Sequence, residues 1–227
     1  MDFPDEVSET PEGDLKEERK EILDSDEEII QKVERLAQLI KESKHFIVFT
    51  GAGISTAAGI RDFRSGLDSI VTRTLRNDEK QIASKYNKYK AYDKALPTLT
   101  HMALVKLEQE GYLKYIISQN IDGLHLKSGF PREKISELHG NINLEICKNE
   151  KCGKVFLRDF KTRTSKKLHE HATGRKCEAC GEMLYDDITN FKESLPMKPF
   201  EEAVLHTRKA DLCLVLGSSL TIYPGSL

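Results

Sequence analysis

The stretch FTGAGIST, residues 49–56, follows the apolar residues HFIV and decides how the chain is interpreted. Two glycines and two hydroxyl side chains come directly after a run that is typical of a buried strand. Glycine lets the oxygens of a ligand approach backbone N–H groups, because it has no Cβ. The N-terminus of a following helix adds a partial positive charge that favours phosphate. The stretch predicts either a phosphate-binding loop or an ordinary tight strand-to-helix connection.

The first of these interpretations cannot stand on this stretch alone. Thr56 occupies the place of the third glycine in the dinucleotide fingerprint G-x-G-x-x-G, and a single near match is weak. However, two further apolar runs also end in polar or glycine turns, SQNIDGLH (118–125) and LGSS (216–219). Ligands of open parallel sheets bind beyond the carboxyl ends of the strands. Three such strand ends in one chain predict a ligand crevice.

Periodicity supports an α/β arrangement. Residues 24–43 form an amphipathic pattern, with apolar residues at helical spacing behind an Asp-Ser-Asp start. Further helices are expected at 100–113 and 199–210, and buried strands at 45–50, 114–120 and 211–219. Cys213 is expected to be a small core residue of the last strand. We predict a Rossmann-like parallel sheet with helices on both faces.

Composition limits the possible classes of protein. The chain has 227 residues, a net charge of −2, 38% hydrophobic and 32% charged residues. This suits one large domain, or one domain with a small insert. No apolar run approaches the ~20 residues that span a bilayer, and the acidic N-terminus lacks a signal-peptide pattern. The charge gives no strong nucleic-acid signature, and the basic stretch 161–176 is interpreted as a solvated face. We expect an intracellular protein without a membrane segment.

Four cysteines form two close pairs. The spacing is C-x4-C, then 24 residues, then C-x2-C, at Cys147, Cys152, Cys177 and Cys180. Two such pairs predict a four-cysteine zinc ribbon, in which four thiolates complete a tetrahedral shell. A closed shell has no open position for substrate, so the zinc is expected to be structural. His169 and His171 lie between the pairs and remain alternative ligands.

Several polar side chains near the strand ends could bind or react. Gln119, Asn120 and Asp122 could hold ribose hydroxyls or an amide, although Asn and Asp also cap turns routinely. Arg64, close to Asp62 and Phe63, could pair with phosphate, although a surface ion pair is equally ordinary. His139 in ELHGN could remove a hydroxyl proton near neutral pH, or be a structural histidine.

Taken together, the motifs resemble the sirtuin family. The matching pieces are TGAGISTAAGIRDFR (50–64), SQNIDGLH (118–125), ELHGN (137–141), the cysteine pairs and LGSSL (216–220). They run in the family's order from residue 46 to about 222, and the ordered set is highly specific. PTLTHMALVKLE, GLHLKSGFPREKISELHGN and HATGRKC are similar to the class IV branch, which contains the nuclear, chromatin-associated mammalian sirtuins six and seven.

The resemblance implies an NAD-dependent protein-lysine deacylase. Such enzymes bind NAD between a Rossmann-like domain and a zinc domain, transfer the acyl group of a lysine to ADP-ribose and release nicotinamide. A side activity of mono-ADP-ribosyl transfer is also implied. His139 corresponds to the family's general base. The implied cofactor residues are Gly51, Ala52, Gly53, Thr56, Asp62, Phe63, Arg64, Gln119, Asn120, Asp122, Gly217, Ser218 and Ser219.

The resemblance also implies how the chain is organised and where it works. After a polar, acidic and weakly patterned stretch that its composition predicts to be a disordered tail (1–24), the expected parts are the first part of the NAD-binding domain (25–140), the zinc-ribbon domain (141–190) and an incomplete continuation (191–227). The expected substrates are acyl-lysine proteins, histones or other nuclear proteins. The expected location is the nucleus.

Three differences from the family pattern favour an alternative. Arg61 stands where the family usually has proline, the loop after DFR reads SGLDSIV, and the chain stops at Leu227. We therefore expect a C-terminally truncated chain. The alternative is a catalytically inactive zinc module that binds chromatin or a protein partner. A zinc-ribbon dehydrogenase is less favoured, because it would leave QNIDGLH and ELHGN unexplained.

Overall fold

The computed structural model describes residues 23–62, 94–165, 167, 169–190 and 193–220. Phe63, Arg64 and almost all of the predicted acidic tail lie outside these ranges, as does the SGLDSIV loop. Within these ranges, no helix is both long enough and apolar enough to cross a membrane.

The described residues contain eight strands and four α-helices. The strands are β1 (Phe46–Thr50), β2 (Leu113–Ser118), β3 (Ile135–Glu137), β4 (Leu144–Cys147), β5 (Val155–Leu157), β6 (Ala172–Lys176), β7 (Met183–Asp186) and β8 (Leu212–Leu216). The helices are α1 (Asp26–Glu42), α2 (Leu99–Gln109), α3 (Leu124–Lys127) and α4 (Met197–Lys209), with 3₁₀ helices at Ala52–Ala58 and Arg132–Lys134. The helices predicted at 24–43, 100–113 and 199–210 and the strands predicted at 45–50, 114–120 and 211–219 are present, with ends shifted by a few residues. The helix that the spacing of Tyr86, Tyr89 and Tyr92 favours lies outside the described residues.

Helix α1 begins where its sequence predicts. The hydroxyl of Ser25 accepts the backbone N–H of Glu28, and the Glu28 carboxylate accepts the backbone N–H of Ser25. This capping box satisfies two N–H groups that a helix start otherwise leaves unpaired. Three acidic residues in the first turn complement the helix dipole.

The apolar face of α1 is only partly buried. Ile40 is buried and Leu36 packs against the core, whereas Ile30 and Val33 are more than half exposed. Periodicity correctly predicted the helix here, but it did not predict how far the apolar face is covered.

The first sheet is entirely parallel, in the order β3-β2-β1-β8. In its register Thr50 lies beside Ser118 on one side and beside Leu216 on the other. The carboxyl ends of β1, β2 and β8 therefore stand next to each other, as the sequence predicts.

Helices cover both faces of this sheet. Phe46 and Val48 pack in one core cluster, with residues of α1 and α2. Ile47 and Phe49, which alternate with them along β1, pack in a second cluster with Ala203 of α4. Successive side chains of a strand point to opposite faces, so β1 contributes to both cores. The predicted Rossmann-like α/β architecture is confirmed.

Strand β8 departs from the prediction of a fully buried strand. Its residues alternate between half-buried and exposed, and Cys213 is exposed. The prediction of Cys213 as a buried core residue is therefore wrong. The physical reason is that β8 lies at the edge of the sheet, paired only with β1 among the described residues.

The second sheet is antiparallel, in the order β5-β4-β7-β6. Glu145 of β4 is fully buried, and its carboxylate accepts hydrogen bonds from the guanidinium groups of Arg158 and Arg175. A buried carboxylate needs such partners, because its desolvation is costly. This sheet carries the cysteine pairs.

A pair of leucine substitutions tests the burial of the two helices. Leu104 of α2 is almost fully buried, whereas Leu39 of α1 is 41% exposed. We expect Leu104→Ala to lower the free energy of unfolding by about 2–5 kcal/mol, because it leaves a cavity in the core. Leu39→Ala should cost less than about 1 kcal/mol. Urea denaturation of both variants measures the difference, and equal losses would contradict the description of α1.

Candidate functional site

The three strand ends that the sequence marks are joined by hydrogen bonds. The backbone N–H of Gln119 donates to the carbonyl of Thr50 at 2.9 Å, and the N–H of Gly51 donates to the carbonyl of Leu216 at 2.9 Å. The loops after β1, β2 and β8 therefore lie together at one edge of the sheet.

Gly51 and Gly53 allow the loop after β1 to contact the loop after β8. The N–H of Gly53 donates to the carbonyl of Gly217 at 2.9 Å. A Cβ at Gly51 would lie 2.6 Å from that carbonyl oxygen, and one at Gly53 would lie 2.7 Å from the Cα of Gly217. Real Cβ atoms essentially never make contacts this short. The two glycines are thus required by contact between the loops, and their N–H groups donate to protein carbonyls.

Asn120 and Asp122 are buried and hold the loop after β1 in place. The Asn120 side chain donates to the carbonyl of Gly51 at 3.0 Å. The Asp122 carboxylate accepts the hydroxyl of Ser55 at 2.7 Å and the N–H of Leu124 at 2.9 Å. Sequence reasoning overlooked Ser55, which is fully buried, although its hydroxyl stands in the same motif.

The neighbouring hydroxyl residue behaves differently. Thr56 is exposed, and its Oγ1 donates to the carbonyl of Gly53 at 2.9 Å. Ala52 and Asp62 are half-buried, whereas Ser219 is exposed. These predicted cofactor residues all lie on the loops after β1 and β8.

Gln119 contacts the loop after β8 through its side chain. The hydroxyl of Ser218 donates to its Oε1 at 2.9 Å. Its Nε2 is buried and has no hydrogen-bond partner in the described part of the protein. A buried donor without an acceptor is costly, so this amide is suited to a ligand oxygen.

The geometry fixes the tautomer of His139. Its Nδ1 lies 2.9 Å from the carbonyl oxygen of Gln119. A carbonyl oxygen can only accept, so Nδ1 carries the proton and Nε2 keeps its lone pair. The imidazole is half-buried at the edge where the three loops meet. An imidazole held in this way can accept a proton at Nε2.

Two buried histidines beneath the site were not predicted. The hydroxyl of Thr50 donates to Ser118 and lies 2.9 Å from Nε2 of His125. The Thr98 hydroxyl donates to the carbonyl of Ile54 and contacts His101. Burial lowers the pKa of His125 to about 3, so this ring is neutral at physiological pH. No sequence signal distinguishes such core histidines from others.

The four paired cysteines form one cluster. The Sγ atoms of all four lie within 4.8 Å of one another. The Sγ atoms of Cys147 and Cys180 are 3.4 Å apart, and those of Cys152 and Cys177 are 3.7 Å apart. Tetrahedral zinc with Zn–S bonds of about 2.3 Å places its sulfurs about 3.8 Å apart. The cluster is therefore compatible with one structural zinc ion held by Cys147, Cys152, Cys177 and Cys180.

Glycines in the left-handed conformation form the turns beside the clustered cysteines. Gly153 and Gly181, which follow the second cysteine of each pair, have φ values of 55° and 78°. Glycine adopts this left-handed conformation readily. At Cys177 burial opposes ionisation, but hydrogen bonds from the backbone N–H groups of Ala179 and Cys180 and from neighbouring thiols hold its pKa at about 7.

The two histidines between the cysteine pairs contact carboxylates and not the cysteine cluster. His171 contacts Asp186 through Nδ1 at 3.0 Å and Glu193 through Nε2 at 2.9 Å. His169 contacts the same oxygen of Glu193 at 2.7 Å. Neither belongs to the metal-ligand group found among the described residues, so the four-cysteine interpretation holds.

The fold and these sites define a Rossmann-like α/β protein with a four-cysteine metal module. Residues 51–224 match the model of the Sir2 family. The chain belongs to the Sir2 family, and its relatives include members of the Sirt6 and sirtuin-7 branch.

Three relatives illustrate the similarity. The NAD-dependent protein deacetylase SRT1 of Arabidopsis thaliana is 49% identical over 195 residues, which cover 85% of this chain and 39% of that protein. The NAD-dependent protein deacetylase Sirt6 of Drosophila melanogaster is 43% identical over 212 residues, which cover 90% of this chain and 63% of that protein. Human NAD-dependent protein deacetylase sirtuin-7 is 40% identical over 212 residues, which cover 92% of this chain and 51% of that protein. The chain thus spans between about two fifths and two thirds of these relatives.

Solved structures of Sir2 proteins share the fold. A Sir2 complex with a p53 peptide and NAD⁺ gives a TM-score of 0.58 at 30% identity, covering 86% of this chain and 79% of that one. A structure of Sir2Tm bound to a propionylated peptide gives a TM-score of 0.57 at 31% identity, covering 86% of this chain and 79% of that one.

Substitution of one clustered cysteine tests the metal module. We expect Cys177→Ala to lose zinc, and the fold to lose stability with it, because metal-binding energy contributes to folding energy. Atomic absorption on the purified protein gives the zinc content, and thermal unfolding gives the stability. Cys213→Ala, on the exposed edge strand, is the matched control and should keep one zinc per chain. A folded Cys177→Ala variant with bound zinc would contradict the assignment.

Proposed function

We propose that the protein is an NAD-dependent protein-lysine deacylase. The observation that carries this proposal is the meeting of three loops around Gln119, with the imidazole of His139 bonded to the Gln119 carbonyl. Support also comes from the relatives that are named NAD-dependent protein deacetylases. Mono-ADP-ribosyl transfer is proposed as a side activity.

The residues present suit NAD in two respects. The buried Nε2 of Gln119 has no acceptor among the described residues, and a ribose or carboxamide oxygen would supply one. Asp122 and Asn120 are held rigidly by their own hydrogen bonds, so the β2 loop needs no reorganisation on binding. When bound, NAD supplies the sugar carbon that receives the acyl oxygen and loses nicotinamide.

His139 is the proposed general base. Its Nδ1–H is fixed by the Gln119 carbonyl, so Nε2 can take a proton from a ribose hydroxyl. The carbonyl also stabilises the imidazolium that forms after proton transfer, because the Nδ1–H donor then carries more positive charge. The remaining cofactor residues named in the sequence keep their proposed roles, including Phe63 and Arg64.

The finer assignments are also proposals. The substrates are acyl-lysine proteins, histones or other nuclear proteins, and the protein acts in the nucleus at chromatin. Similarity to Drosophila Sirt6 and human sirtuin-7 supports this. We also propose residues 25–140 and 191–227 as parts of the NAD-binding domain, and 141–190 as the zinc domain. The proposed division agrees with the two separate sheets. A fluorescent fusion excluded from nuclei would refute the location.

Two substitutions of His139 test the base. His139→Asn keeps an N–H donor close to the Gln119 carbonyl but removes the basic nitrogen, whereas His139→Ala removes both. We expect both to lower kcat for deacylation of an acetyl-lysine peptide by about 10²–10⁴-fold. The Asn variant should keep wild-type zinc content and NAD affinity.

Calorimetric titration with NAD separates the proposal from its alternative. If folded wild-type protein binds no NAD at millimolar concentration, the chain is a non-catalytic module and the proposed function is wrong. If NAD binds and His139→Asn still turns over at the wild-type rate, the base assignment is wrong. Cys213→Ala serves again as the control variant, because its site is on the exposed edge strand.

A further inference from the structure

Asn141 connects two acidic side chains beside the turn that carries His139. It is fully buried, and its side-chain Nδ2 donates to Oε1 of Glu137 at 2.7 Å. Its backbone N–H donates to Oδ2 of Asp187 at 3.0 Å. Its Oδ1 accepts the N–H of Asn143 at 2.9 Å. All these polar groups of Asn141 are satisfied, which fixes its position.

The turn itself is held from both sides. The N–H of Gly140 donates to the carbonyl of Glu137 at 3.0 Å, and the carbonyl of His139 accepts the N–H of Thr189 at 3.0 Å. Gly140 has a φ of 79°, and a Cβ there would lie 1.7 Å from the carbonyl oxygen of Asp187. The position of the imidazole therefore depends on Glu137 on one side and on residues 187–189 on the other.

The surroundings of Glu137 disfavour a further negative charge. Glu137 is half-buried as a residue, and desolvation of its carboxyl raises the pKa to about 8. The hydrogen bond from Asn141 and the charge of Arg132 act in the opposite direction, while Asp187 and Asp122 add to the increase. Burial also raises the pKa of Asp187 to about 6. Near neutral pH the group therefore keeps a proton on Glu137.

We propose that Glu137 is a positioning residue for His139, and that it acts as an uncharged carboxylic acid through its hydrogen bond with Asn141. The proposal rests on the proposed function for its link to catalysis, but its structural part is independent. Ionisation of Glu137 would place two carboxylates against the same asparagine. Their repulsion would separate Asp187 from the Asn141 N–H and release the turn that orients the imidazole.

The proposal has a definite pH dependence. In the unfolded chain Glu137 loses its proton near its ordinary pKa of 4.5, whereas in the folded protein it keeps the proton up to about 8. The unfolded state therefore binds fewer protons between these values, and stability falls as pH rises through that range. Its stabilising contribution is complete below pH 4.5 and is lost above pH 8.

Glu137→Gln tests the structural part. Glutamine has the shape of the neutral acid and keeps an oxygen that can accept from Asn141. We expect this variant to require more urea for unfolding than wild type at pH 9, and its stability to fall less between pH 5 and pH 8. The infrared C=O band of a protonated carboxylic acid at pH 7 should be present in wild type and reduced in the variant. Glu133→Gln, which removes an exposed charge that is not among the hydrogen-bond partners of Asn141, should match wild type in both measurements.

Kinetics test the link to His139. Glu137→Ala leaves Asn141 without its acceptor, so we expect kcat to fall by about tenfold or more with the KM for NAD little changed. Glu137→Gln should recover most of that loss, and its activity should persist to higher pH than that of wild type. Glu133→Gln should leave the pH profile of wild type unaltered.

The outcomes separate the two proposals. If Glu137→Gln fails to fold, shows the same pH 9 stability as wild type, or is as inactive as Glu137→Ala, the neutral positioning role is wrong. If wild type itself shows no deacylation, the proposed function is wrong. The urea and infrared comparisons then still decide whether Glu137 holds Asn141 as an uncharged acid.

Discussion

The site depends on Gln119, because one residue joins every element that meets there. Its backbone N–H donates to the end of β1, its carbonyl accepts the imidazole of His139, and its Oε1 accepts the hydroxyl of Ser218. Main-chain groups make the first two contacts, so they follow from the path of the backbone after β2 rather than from a flexible side chain. A shift of β2 by one residue would place a different carbonyl against the imidazole and reverse the faces of the strand.

Much of this arrangement could be predicted from residue types. Three apolar runs that end in polar turns indicated neighbouring strand ends, because a parallel sheet brings its carboxyl ends to one edge. The cysteine spacing indicated the metal module, since paired thiolates on tight glycine turns suit tetrahedral zinc. Both inferences rest on local patterns that the tertiary structure had only to bring together.

Other features depend on packing that periodicity does not contain. Ser55 and Thr56 are adjacent hydroxyl residues in one motif, yet only Ser55 reaches Asp122, because the 3₁₀ helix turns the next side chain to the surface. The apolar pattern of β8 predicts a central strand, but a strand's place in the sheet order decides the exposure of Cys213. The glycines of the first motif were predicted to make room for a ligand, and the contacts that the structure shows for them are with the β8 loop.

The absence of any gap at Gly140 has a mechanical consequence. Residues 187–189 continue directly from β7, which is hydrogen-bonded to the strand that ends at Cys147. This segment is hydrogen-bonded to His139 and Asn141 and leaves no room for a side chain at Gly140, so its displacement would disturb the turn that carries the imidazole. A displacement of the four-cysteine cluster that is transmitted along β4 and β7 would therefore reach the turn that carries His139. The antiparallel sheet can in this way influence the position of the His139 ring without contributing a residue to the turn that holds it.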